Sequence, residues 1–183
     1  MYDLPTGADV NGVEYAIRSD YRAVLDICAA LSDPELDAQG KATVALMIFY
    51  PDYESIPPEH YGKALEQCFR FINGGIEDTE QRAPKLVDWE QDFQYIVAPV
   101  NRVLGQEIRA LEYLHWWSFL SAYYEIGGNC MFAQIVQIRD KLARGKQLDK
   151  AECEWYRHNR SLVDFKQQTY TEAENELLKQ WAK

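Results

Sequence analysis

Leu111-Glu112-Tyr113-Leu114-His115-Trp116-Trp117-Ser118-Phe119-Leu120-Ser121-Ala122-Tyr123-Tyr124-Glu125-Ile126 is the stretch on which the fold turns. Wound at 3.6 residues per turn, its apolar side chains surround the axis almost completely, the pattern of a helix covered on several sides. The reading is a helix from Leu111 to Ile126, central to the fold and ended by Gly127-Gly128. Adjacent helical residues point about 100° apart, so Trp116 and Trp117 cannot both enter one core layer. One of them is expected to meet another surface: a second helix layer, a subunit or a partner.

Toward the C-terminus, Met131, Ile135, Ile138 and Leu142 mark a helix that stops at Gly145, and Leu148 to about Asn159 reads as helical through Trp155 and Tyr156. A last amphipathic helix, within 161–183, is capped by Thr171 with Glu174 three residues on and runs through Leu177, Leu178 and Trp181. Toward the N-terminus, Asp88 stands three residues before Gln91, a capping-box spacing. The helix it opens carries Trp89, Phe93, Ile96, Val97 and Val100 and ends before Gly105. Before it, the polar run Glu77 to Pro84 reads as a surface linker.

Pro58 suits the first turn of a helix striped by Leu65, Cys68, Phe69 and Ile72 and stopped by Asn73-Gly74-Gly75. A helix from Gly40 to Tyr50 shows Val44, Met47 and Ile48 on one face. Another begins at a Ser19 or Asp20 cap and carries Val24, Leu25, Cys28 and Leu31 to the break at Asp33-Pro34. Asn11-Gly12 between β-prone residues signals a hairpin over 9–17, because both positions tolerate the positive φ of a type I′ turn. The fold read from this pattern is mostly α: one domain over 1–183, a bundle of about seven helices with a short N-terminal β-hairpin.

The 183 residues, 47% hydrophobic and 26% charged, suffice for one sizeable core. No apolar run approaches the roughly 20 residues that span a bilayer, and the first residues lack the pattern of a secretory leader, so neither export nor a membrane is expected. The net charge of −10 is uneven: residues 1–80 hold 15 acids against 5 bases, whereas 139–160 hold 4 against 7. An acidic front half repels nucleic acid. The basic cluster of Arg139, Lys141, Arg144, Lys146, Lys150, Arg157 and Arg160 is interleaved with Asp140, Asp149, Glu152 and Glu154. It reads as a solvated helical face with i,i+4 pairs.

Candidate chemistry is sparse. His60, His115 and His158 have no partner at metal-ligand spacing, and His115, set among aromatics, reads as a satisfied core histidine. Asp88, Glu90 and Asp92 could supply metal oxygens, but acids in a first helical turn meet the positive end of the macrodipole, which favours capping. Cys28, Cys68, Cys130 and Cys153 are scattered and read as buried reduced thiols. Neither a nucleophile elbow nor a P-loop is present, so no enzyme, cofactor or metal is expected. The unusual property is aromatic content, 13% with 5 Trp and 12 Tyr, which either packs an irregular core or furnishes a protein-binding face. The candidates for such a face are Trp89, Trp116, Trp117, Tyr123, Tyr124 and Trp155.

The run Gln81-Arg82-Ala83-Pro84-Lys85-Leu86-Val87-Asp88-Trp89-Glu90-Gln91-Asp92, taken with Leu111 to Leu120, resembles the family named after gene product 15 of siphophages that infect Gram-positive hosts. The opening Asp3-Leu4-Pro5, the Val10 to Tyr15 hairpin and Tyr21-Arg22 are similar to that family's start, so the resemblance extends to about Arg160. It brings no catalytic residues. It implies a phage or prophage protein of the tail module, in the host cytoplasm, at the place of a tail assembly chaperone. The tape-measure protein is the implied partner and the major tail-tube protein a second one, with several copies of the chain assembling along the client. A structural tail or connector component retained in the virion is the alternative.

Overall fold

The computed structural model describes residues 3–76 and 84–166. The expected helix at 171–183 and most of the 77–84 linker lie outside the described residues. Strands β1 (Gly7–Val10) and β2 (Val13–Ala16) pair antiparallel with Val10 opposite Val13. Asn11 and Gly12 turn between them at φ of 55° and 85°, the positive values a type I′ turn requires. Asp20 caps α1 (Tyr21–Ser32), accepting the Arg22 N–H, and Asp33 ends that helix in extended conformation before Pro34.

Helix α2 (Ala38–Phe49) begins two residues earlier than expected, because Asp37 accepts the Gly40 N–H as its cap. Its buried face is Ala45, Leu46 and Phe49, whereas Met47 is exposed. The buried face therefore lies about 150° around the axis from the face read from sequence, at roughly 100° per residue. The helix is apolar almost throughout, so its pattern does not fix which side turns inward. After Pro51, two 3-10 turns lead into α3 (Tyr61–Ile72), with Pro58 opening the second turn. Gly74 and Gly75 follow at φ of 70° and 83°, and a Cβ on Gly75 would come within 3.1 Å of the Trp117 ring. A side chain there would crowd the indole and also strain the backbone at that positive φ.

Helix α4 (Trp89–Leu104) starts at Asp88, whose carboxylate accepts the Gln91 N–H at 3.1 Å, and ends at Gly105 with φ 70°. The return bond does not come from Gln91. Asp92 Oδ2 accepts the Asp88 N–H at 2.9 Å instead, leaving the Gln91 amide free for other work. Burial pushes the Asp88 carboxyl up, but bonds from the Lys85 ammonium and the Gln91 N–H outweigh it and hold the group below its ordinary value. Asp88→Asn is expected to be nearly neutral in urea melts at pH 7, and Asp88→Ala to cost about 1 kcal/mol. A depressed folded value contributes stability above the unfolded carboxylate pKa and loses it as pH falls through the folded one. The parent's advantage over Asp88→Ala should therefore shrink below about pH 4.

The central aromatic helix is shorter than its pattern. Helix α5 spans Trp116–Tyr124, and Leu111 to His115 run extended. The reason lies in pairing with the start of α1. Tyr21 N–H donates to Leu114 O at 2.9 Å, Trp116 N–H to Ser19 O at 2.7 Å, and Leu114 N–H to the Asp20 carboxylate at 2.9 Å. Those bonds occupy backbone groups that a helix through 111–115 would need. Helices α6 (Met131–Ala143), α7 (Lys150–His158) and α8 (Arg160–Val163) are the last elements among the described residues, α7 with a full Asp149–Glu152 capping box. The bundle is a single mostly α domain with a hairpin at its N-terminus.

One apolar cluster runs from Val10 to Phe132 through α1 to α5. Its middle is a stack of rings, with Phe119 5.1 Å from Tyr21 and 5.4 Å from Trp116, both nearly parallel. Trp89 tilts onto Tyr123 at 4.9 Å.

Candidate functional site

The six aromatics singled out in the sequence do not form one surface. Trp116 is 1% exposed and Trp117 half-buried, and both indoles serve the same neighbour: Trp116 Nε1–H donates to Ile72 O at 2.8 Å and Trp117 Nε1–H to Phe71 O at 2.9 Å. These carbonyls belong to the last turn of α3, where a helix runs out of its own i+4 donors; Phe71 O also accepts the Gly74 N–H at 3.0 Å. The pair thus meets a second helix layer, one of the surfaces expected for it, and caps that layer. Trp89 and Tyr123 are half-buried and packed on the core. Tyr124 is 68% exposed, and Trp155 is half-buried on α7 outside the main cluster.

His115 is buried as expected, with both nitrogens engaged. Nδ1 accepts the Trp117 N–H at 3.0 Å as the cap of α5, which leaves Nε2–H to donate to Pro5 O at 2.9 Å. The imidazole joins the N-terminal arm to the central helix and has no free nitrogen for catalysis. Cys28 and Cys68 sit in apolar surroundings that push their thiols up to about 11 and about 12, and Cys130 caps α6 through its sulfur. Among the described residues the four cysteines are free thiols, and no group of three or more His, Cys, Asp or Glu could hold a metal ion.

Sequence reading placed Arg139 on a solvated basic face, and the structure corrects this. Arg139 is 4% exposed and Asp92 is fully buried. The guanidinium uses all five of its donors. Nη1 and Nη2 grip the two Asp92 oxygens at 2.6 and 3.0 Å, and the remaining N–H groups reach Leu86 O, Leu162 O and Val163 O at 2.7–3.0 Å. Three distant segments meet at this one ion pair. The signal was in the sequence: Phe132, Ile135 and Arg139 fall at i, i+3 and i+7, which puts the arginine on the apolar stripe. The rest of the basic cluster behaves as expected, with Arg144–Asp140 and Arg160–Asp164 paired at i,i+4 and Lys141 bonded to Glu152.

Exposed apolar surface lies elsewhere. A groove of about 620 Å³ opens between the ends of α1 and α3, lined by Leu31, Phe69, Ile72 and Ile76 with Glu66 and Arg70 beside them. Ile76 is 69% exposed. Phe69 was read as part of the inward stripe of α3, but the buried positions are Ala64, Cys68 and Phe71, which turns Phe69 toward the groove. No described helix is long and apolar enough to cross a membrane.

The family comparison makes this mostly helical chain a phage protein. The chain belongs to the family described as Bacteriophage Gp15 protein, whose model matches residues 1–165. Neither the curated proteins nor the solved structures gave a match.

Proposed function

We propose that the chain is a tail assembly chaperone that holds segments of the tape-measure protein in the host cytoplasm during tail morphogenesis, with the major tail-tube protein as the partner that succeeds it. The observation that carries this reading is the open apolar groove between α1 and α3 on a phage-family protein whose described residues assemble no catalytic centre. An apolar helix laid into such a groove buries side chains at i, i+3, i+4 and i+7. The net charge of −10 keeps the loaded complex soluble. Several copies along one client follow from the client's length. The expected aromatic face gives way in this reading to the groove, since Trp116 is enclosed by the fold.

Co-expression with the tape-measure protein of the same phage tests the proposal. The soluble fraction of the client should rise, with several chains recovered per client, and Phe69→Asp with Ile76→Asp should abolish the gain without lowering the melting temperature. No gain over an unrelated acidic protein of similar size would overturn the chaperone reading. Stoichiometric recovery of the chain in purified virions would favour a retained structural component.

A further inference from the structure

The described chain ends in the wall of a second groove. This cavity, of about 630 Å³, lies between α1 and the start of α4, with Cys28 and Ser32 on one side, Trp89 and Glu90 on another, and Phe165 and Lys166 at its edge. The chain is delivered there under close control. Gln91 Nε2 donates to Leu162 O at 3.2 Å and Asp164 O at 3.0 Å, and Gln91 Oε1 accepts the Lys166 N–H at 2.9 Å. The Phe165 ring centre stands 4.2 Å from the Arg139 guanidinium and 5.2 Å from the Lys85 ammonium. Residues 167–183 follow directly, and they lie beyond the end of the family match at residue 165.

We propose that this groove is the seat of the chain's own residues 167–183, with Leu177, Leu178 and Trp181 as its apolar anchors. Attachment decides between occupants of similar chemistry. A segment tethered at the groove's edge is present at an effective concentration in the millimolar range, far above that of a second copy or a free partner. Charge fits as well: Lys166 and Glu90 line the cavity and make no ion pair among the described residues, so Lys166 can meet Glu172, Glu174 or Glu176, and Glu90 can meet Lys179 or Lys183. The cavity is within the range that encloses a drug-sized apolar ligand, enough for a few large side chains.

Cys28 is a built-in reporter, because it lines the cavity. Burial holds its thiol up to about 11, so rates are compared at a single pH. The full chain and its Leu177→Asp, Leu178→Asp, Trp181→Asp variant are alkylated with N-ethylmaleimide, and each cysteine is followed by mass spectrometry. Cys28 should react about tenfold faster in the variant, as for a site occupied by its ligand at roughly ten times the dissociation constant, with Cys68 unchanged. Equal Cys28 rates overturn the proposal. If Cys68 also accelerates, the fold itself has opened, and a chain carrying only Ser32→Cys and Leu178→Cys decides through a bifunctional maleimide. A 32–178 cross-link in the monomer supports the seat. The same link in a dimer assigns the groove to a second copy, and no link removes the tail from it; either result overturns the proposal.

Discussion

Replacing Arg139 with Met should destabilise the fold by about 3–5 kcal/mol, the usual cost of stranding one charge of a buried pair. Asp92 would remain fully buried with its Asp88 N–H bond but without a counter-charge, and Leu86, Leu162 and Val163 would lose their donors. For a chain of this length that corresponds to a fall in melting temperature of about 6–20 °C. Asp92→Leu alone should cost a similar amount, since it strands the guanidinium. The double variant Arg139→Met, Asp92→Leu should recover much of the loss, because neither charge is then buried alone. It should not reach the parent, since three carbonyls still lack partners. Urea melts of the four proteins give the coupling. A single Arg139→Met variant within 1 kcal/mol of the parent would show that the ion pair does not hold the three segments together.

Phe119→Ala is expected to cost about 3–5 kcal/mol, as for other large aromatic-to-alanine changes in closed cores. Phe119 is fully buried and stacked against Tyr21 and Trp116, with Trp89 tilted onto it, so truncation leaves a cavity walled by three rings that cannot all collapse inward. Leu114→Ala should cost less, because Leu114 is half-buried on the extended approach to α5 and not on the helix itself. Tyr124→Ala, at an exposed position, should stay within about 0.5 kcal/mol of the parent. Equal losses at 114 and 119 would mean that the extended segment is as much a part of the core as α5.

Helix ends were the most legible part of the sequence, since each is set by chemistry within a few residues. Asn11-Gly12, Asp20, Asp88, Gly105 and Gly145 all act where their local preferences place them. Faces were harder. In α2 the apolar residues run nearly all round, so Ala45, Leu46 and Phe49 turn inward for reasons of packing that no periodicity expresses. The start of α5 was hidden for a related reason: Leu111 to His115 are as apolar as the helix, but pairing with residues 19–21, more than 90 positions away, holds them extended. The Arg139–Asp92 pair was visible only as a charge on an apolar stripe, and a lone sequence gives no means of matching two such charges 47 positions apart. For the candidate site, the aromatic count singled out residues for a binding face of which Trp89, Trp116, Trp117 and Tyr123 pack in or on the core, whereas the exposed groove is made of Leu, Ile and Phe residues that looked like ordinary helix stripe.

The indoles that close the last turn of α3 also set a timetable. Ile72 O and Phe71 O wait for donors that lie 44 and 46 residues further along the chain. At about 5–20 residues per second on the ribosome, the tryptophans are made roughly 2–9 s after the helix they complete. During that interval Ile72 O lacks its indole donor, Phe71 O has only backbone donors such as the Gly74 N–H, and the indole that packs beside Gly75 has not been made. The end of α3 is thus completed only by residues of α5, so the N-terminal half of the bundle lacks part of its own cap until that helix is made.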